Sequence, residues 1–191
     1  MIRTIAATAV LATVGATPAF AHLDPAETGS FMAGFTHPFF GTDHVLAIVA
    51  VGLWAALLGG KALWLVPAAF VAIMVAGFLA ALGGLVLPSV EPVILASVVV
   101  IGLLTATALR LPLPAAMAIV GFFAIFHGHA HGSEIGMVEA GPYALGFAIA
   151  TAVLHAVGAG LGQSSGKAVG RTIIRAAGAA TALGGIWLAI A

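Results

Sequence analysis

The residues best equipped for chemistry fall in two short stretches. The first, His37-Pro38-Phe39-Phe40-Gly41-Thr42-Asp43-His44, runs directly into the apolar segment Val45 to Leu58. The second, Phe126-His127-Gly128-His129-Ala130-His131-Gly132-Ser133-Glu134, closes a later apolar segment. Neutral imidazole and carboxylate together suit borderline divalent ions such as nickel, cobalt, zinc and copper. Cysteine is absent, so there is no thiolate ligand, disulfide or sulfur redox chemistry to weigh against them. The expected metal ligands are His37, Asp43, His44, His127, His131 and Glu134.

Spacing limits how these groups can meet. On a continuous helix His37 and His44 share a face but lie about 10 Å apart along it. Both cannot then reach one ion whose ligands stand at about 2 Å. Pro38 and Gly41 predict a break that could bring His37 back towards Asp43 and His44. Asp43 has a second reading, as the N-cap of the following helix. In the second stretch, His127 and His131 are spaced i, i+4, and Glu134 follows His131 by three. These three project from one helical face. His129 points to roughly the opposite side and is a second-tier ligand. Gly128 and Gly132 thin the helix for close packing or local unwinding. The alternative is a His-rich exposed loop with no specific site. A metalloprotease helix does not fit, because no Glu immediately follows the first His of the pair.

Five further groups stand out. His155 lies inside an apolar segment, where an ionisable residue is either functional or hydrogen-bonded to a neighbouring helix. His22 follows a small-x-small cleavage site and would carry a free α-amine beside its imidazole. Both are second-tier ligands with His129. Glu91, followed by Pro92, reads as a helix start. Thr105, Thr107 and Thr151 read as packing residues. Phe39, Phe40, Phe122, Phe123 and Phe126 flank the two stretches and could form a dry collar, although aromatic residues near a membrane interface need no such role.

The elements that position these groups follow from composition. Of 191 residues, 62% are hydrophobic and 6% charged, against about 25% charged in soluble domains. The chain reads as an all-α integral membrane protein. Arg3, the short apolar core Ile5 to Val14 and Ala19-Phe20-Ala21 read as a cleaved signal peptide over residues 1–21. A single transmembrane domain over 22–191 follows, opening on a polar lead-in from His22 to Ser30. Six spans are predicted at 43–59, 62–83, 90–109, 112–130, 141–162 and 171–190, divided by Gly59-Gly60-Lys61, Gly83 to Pro92, Arg110-Leu111-Pro112, the His-rich stretch and Gly162 to Gly170. With the mature N-terminus outside, Lys61, Arg110, Lys167, Arg171 and Arg175 all fall on the cytoplasmic side. Asp24, Glu27, Glu91, Glu134, Glu139 and both His stretches then fall on the periplasmic side of a bacterial inner membrane. The two motif-bearing spans run antiparallel and each heads a group of three, an order compatible with a 3+3 inverted repeat. Zero formal net charge and the lack of a basic tract give no footing for nucleic acid. The lipid bilayer and a divalent ion are the expected partners, and a homo-oligomer is allowed but not required.

At these two motifs the chain resembles the HupE/UreJ family of bacterial nickel permeases. The match is His-x5-Asp-His at His37, Asp43 and His44, with Phe-His-Gly-x-Ala-His-Gly-x-Glu at Phe126 to Glu134. It is also similar to the wider nickel/cobalt transporter group, whose related signature has one residue fewer between His and Asp-His. The resemblance covers essentially the whole chain. It implies nickel uptake for hydrogenase or urease, with cobalt import in some members, and roles for His37, Asp43, His44, His127, His131 and Glu134. His129 occupies the motif's variable position and inherits none. On this reading the chain is not an enzyme and holds no prosthetic group. Its cargo is Ni2+ or Co2+, with Zn2+ able to bind in vitro, and it lacks the Gly-rich, Lys-Ser/Thr loop for nucleotide. The alternatives are an integral-membrane zinc-dependent hydrolase with Glu134 as general base, and a metal sensor or assembly factor that transports nothing.

Overall fold

The computed structural model describes residues 25–164 and 169–191. The signal peptide expected at 1–21, His22, Asp24 and Lys167 lie outside the described residues. Among those described there is no strand, and seven helices follow in order. They are α1 (Pro25–Phe40), α2 (Thr42–Leu58), α3 (Ala62–Leu82), α4 (Val90–Thr107), α5 (Leu113–Ser133), α6 (Ala140–Ser164) and α7 (Val169–Ile190). From α3 to α7, each helix is long and apolar enough to cross a bilayer. Helices α1 and α2 pass the same test only together, as a pair bent by 82° at their break. The chain is thus an all-helical multi-pass membrane protein.

The predicted spans fall on α2 to α7, with ends shifted by up to about three residues. Two departures bear on the site. Helix α5 does not stop at residue 130 but continues through the His stretch to Ser133, so His127 and His131 are fixed on a rigid element. Helix α1 replaces the polar lead-in expected up to Ser30. Its sequence is rich in Gly, Thr and Pro and carries only a weak local helical signal. The helix is non-helical at Gly29 (φ 75°, ψ 155°) and is held by α6. The backbone of Tyr143 fills the place of a Gly34 side chain, and that of Phe31 the place of a Gly146 side chain.

Close backbone approach is also what joins the other helices. In lipid, apolar side chains gain little from burial against each other, so contact depends on small residues that let backbones meet. Helices α3 and α5 meet where Gly128 faces the Met74 carbonyl and Gly77 faces the Ile125 carbonyl. Between α2 and α6, Gly52 faces the His155 carbonyl and Gly158 faces the Val49 carbonyl. Both pairs run parallel, and in both the contacting residues are three apart on each helix. Helices α4 and α7 cross where Gly102 abuts the Ala182 amide and Gly178 abuts the Ala106 amide.

The bundle has two chemically distinct ends. Lys61 and Arg110, after α2 and α4, line one cavity of about 290 Å³. Nearby, Arg175 Nε donates to the Ala106 carbonyl at 2.8 Å, and Trp54 Nε1 donates to the Leu109 carbonyl at 3.0 Å. The opposite ends of α2 and α4 carry Asp43, His44 and Glu91.

Candidate metal-binding site

The break between α1 and α2 sets the first motif. Pro38 stays inside α1, and the chain turns at Gly41, which is extended (φ −85°, ψ 110°). A side chain at Gly41 would lie 2.9 Å from His44 Nδ1 and 3.0 Å from Asp43 Oδ1, so glycine leaves room for that pair to fold over the turn. The sequence offered Asp43 as an N-cap. Gly41 holds that position instead, with no side-chain cap, and the Asp43 carboxylate turns to His44. Its Oδ1 accepts from His44 Nδ1 at 2.9 Å.

That bond decides which nitrogen of His44 is available. A carboxylate only accepts, so Nδ1 carries the proton and the Nε2 of neutral His44 keeps a lone pair. His131 Nε2 stands 2.7 Å from it and must donate, which leaves His131 Nδ1 bare. No hydrogen-bond partner reaches His131 Nδ1. Two ligand nitrogens at about 2.1 Å from one ion and at right angles to each other are themselves about 3 Å apart. The two Nε2 atoms therefore hold nearly the spacing of adjacent ligands, with a proton between them.

His127 lies one helical turn back on α5, fully buried. Its ring is edge-on to His44, with centroids 4.9 Å apart. Ser97 Oγ donates its one proton to the Ile94 carbonyl at 2.5 Å. The 3.0 Å contact to His127 Nε2 is therefore donated by the histidine, and His127 Nδ1 is left with a lone pair and no partner. Ser97 was missed in the sequence. A serine in the middle of an apolar span was its only signal.

The other members surround this pair of helices. His37 is carried by α1 onto His131, ring centroids 4.5 Å apart, rather than onto Asp43 and His44 alone as the spacing suggested. A pocket of about 160 Å³ opens over the cluster, lined by His37, Asp43, His44, Glu91, His131 and Glu134. All six expected residues are thus gathered at one end of the bundle, five around the pocket and His127 behind them. Glu91, which was read as a helix start, is in the first turn of α4 and also faces the pocket. His129 turns away, as its position on the helix predicts. Its Nε2 donates to the Leu85 carbonyl at 2.7 Å and ties the α3–α4 connection to α5.

The aromatic surround differs from expectation. Phe39, Phe40 and Phe122 are largely exposed. The rings against the cluster are Phe147, 4.3 Å from His131, Phe70, 5.6 Å from His127, and Tyr143, 6.1 Å from His37. They lie on α3 and α6, outside both motifs. Thr105 and Thr107 return their hydroxyls to their own helix, to Ile101 and Leu103, as packing residues do. Among the described residues no group of three or more His, Asp or Glu is arranged to hold a metal ion as it stands.

Two comparisons with known proteins bear on this arrangement. Residues 9–188 match the family described as HupE / UreJ protein. The chain is 45% identical over 173 residues to Protein HupE of Rhizobium leguminosarum bv. viciae, covering 90% of each chain. No solved structure matches it. With a family match that includes both His motifs and nearly half of the residues shared with a curated relative, the chain belongs to the HupE/UreJ family.

Proposed function

We propose that this protein is a secondary permease that carries a divalent transition-metal ion, nickel or cobalt, inward across the bacterial inner membrane. The observation that carries the reading is the convergence of His44 and His131 under a pocket rimmed by three carboxylates, Asp43, Glu91 and Glu134. A pocket of about 160 Å³ has the volume of about five waters at about 30 Å³ each. Its lining of imidazole and carboxylate groups suits a small hydrated divalent ion. The carboxylates attract the cation and take the place of some of its water. As the ion arrives, the Nε2 proton of His131 moves to its bare Nδ1, so that the Nε2 lone pairs of His44 and His131 both face the ion. Asp43 acts from behind, holding His44 in the tautomer that presents Nε2, the usual role of a carboxylate hydrogen-bonded to a ligand histidine. Coordination must stay weak enough for release, since a site that binds too tightly does not conduct.

The orientation expected from the cations, with His motifs periplasmic and a cleaved signal peptide before them, belongs to the same proposal. It is supported by Lys61 and Arg110 lining one cavity at the end opposite the pocket. We further infer that α2–α4 and α5–α7 form an inverted repeat. Exchanging α2 with α5 and α3 with α6 maps the Gly128–Met74 and Gly77–Ile125 contacts onto Gly52–His155 and Gly158–Val49, while the α4–α7 contact maps onto itself. An inverted repeat supplies the rocking by which many secondary carriers alternate access. The test of the permease is uptake of labelled nickel, cobalt and zinc by proteoliposomes. Flux of nickel or cobalt above that of protein-free vesicles is expected, and flux no greater than in those vesicles would defeat the reading.

A further inference from the structure

Of the two buried histidines outside the outer cluster, His129 is bonded to the Leu85 carbonyl and His155 is not. It lies on α6, 1% exposed, and neither ring nitrogen has a hydrogen-bond partner. Leaving a buried polar group unpaired is destabilising, so a chain that only needed packing here would be better served by Leu or Phe. The ring is not isolated from the outer cluster. Phe70 stands between the two, with its centroid 5.1 Å from His155 and 5.6 Å from His127. On its far side His155 lines a cavity of about 450 Å³ between α3 and α6, whose other walls are Trp64, Pro67, Ala152 and similar apolar residues. Those α3 residues belong to the end of the helix next to Lys61, opposite the outer pocket. One turn from Phe70 and His155, Met74 and Thr151 face each other, Thr151 Oγ1 donating to Met74 Sδ at 3.7 Å. An imidazole, a thioether and a hydroxyl are therefore stacked along one α3–α6 seam.

We propose that His155 is an inner station for the transported divalent ion, which reaches it from the His44–His131–His127 cluster past the ring of Phe70. The proposal rests on the permease reading and adds a second, separate coordination step to it. An ion leaving His127 exchanges one imidazole for another, with the Met74 sulfur and Thr151 oxygen as supplementary donors of the softness that nickel and cobalt accept. A single strong ligand makes the station weak, as conduction requires. The α3–α6 cavity then opens the way towards the cytoplasmic end.

Two variants of the full-length protein in proteoliposomes test this. His155→Leu removes both unpaired nitrogens at similar volume, so a purely structural His155 predicts unchanged or higher thermal stability and unchanged uptake. The inner station predicts uptake of nickel or cobalt at least ten-fold lower, with binding of the ion to the outer cluster retained. His155→Cys gives a chain without other cysteines a single thiolate ligand at this place. Added Co2+ should then produce a cobalt–thiolate charge-transfer band, and uptake should exceed that of His155→Leu. Wild-type flux in His155→Leu, or no such band in His155→Cys, overturns the inner station. Should His155→Leu fail to fold, the band in His155→Cys decides alone. Absence of flux in the wild type would instead defeat the permease reading, so the two failures are told apart.

Discussion

The Nε2 atoms of His44 and His131 lie 2.7 Å apart, although 87 residues separate them in the chain. Helix α2 begins with one of them and α5 ends with the other. The contact makes a single pocket of two motifs.

Asp43 is placed to hold His44 rather than to meet the ion alone. Asp43→Asn keeps an acceptor for Nδ1 but removes the charge. It should lower apparent metal affinity by about 10- to 100-fold, the usual effect of losing a carboxylate behind a ligand histidine. Saturation curves for nickel or cobalt uptake check this, with the half-saturating concentration rising and the protein still folded. An unchanged curve would remove Asp43 from the site.

Ser97 accepts from His127 and so fixes which of its nitrogens is bare. Ser97→Ala leaves a buried N–H unpaired, a loss of about 1–3 kcal/mol, and lets the ring take either tautomer. Thermal unfolding in detergent should show the destabilisation, and uptake should fall as well. Full uptake would mean that the tautomer of His127 does not matter.

The glycines at the helix crossings can be tested as matched pairs. At Gly128 and Gly52 a side chain would run into the carbonyls of Met74 and His155. Gly128→Ala and Gly52→Ala should each cost about 1–3 kcal/mol because the obstacle is backbone. Gly160 has nothing within 4 Å, so Gly160→Ala should raise stability by up to about 1 kcal/mol. Equal behaviour of all three in thermal unfolding would contradict the packing described.

Uptake should weaken as the external pH falls towards about 5. Protonation of a ligand imidazole to imidazolium removes the lone pair that the ion needs, so each drop in pH favours the protonated site over the metal-bound one. Flux at fixed free metal concentration, measured from about pH 7 to pH 5, checks the direction. A flat profile would count against imidazole ligation.

Much of this was legible in the residues, for identifiable physical reasons. Apolar runs of span length punctuated by Gly, Pro and charge locate α2 to α7 closely, because a helix in lipid must be both long and uncharged. The i, i+4 spacing of His127 and His131 placed them on one face, and the same geometry turned His129 away to Leu85. What remained hidden depends on tertiary contact. Helix α1 has little local preference and forms because Gly34 and Gly146 let it lie against α6. Glu91 looked like a helix-starting carboxylate, and only the packing of α4 beside α2 and α5 turns it to the pocket. Ser97, Phe70 and Phe147 carry no motif at all. Their roles arise from histidines of α5 that the packing of the helices brings against them, which no local pattern records.

The central claim is that His44 and His131 act on the same ion. Proteoliposomes carrying wild type, His44→Ala, His131→Ala and the double variant provide the most direct measurement, with labelled nickel and cobalt on the outside. Each single variant should lose nearly all flux, and the double variant should lose no more than either alone, because removing one ligand already empties the shared site. Wild-type flux in either single variant would contradict the account.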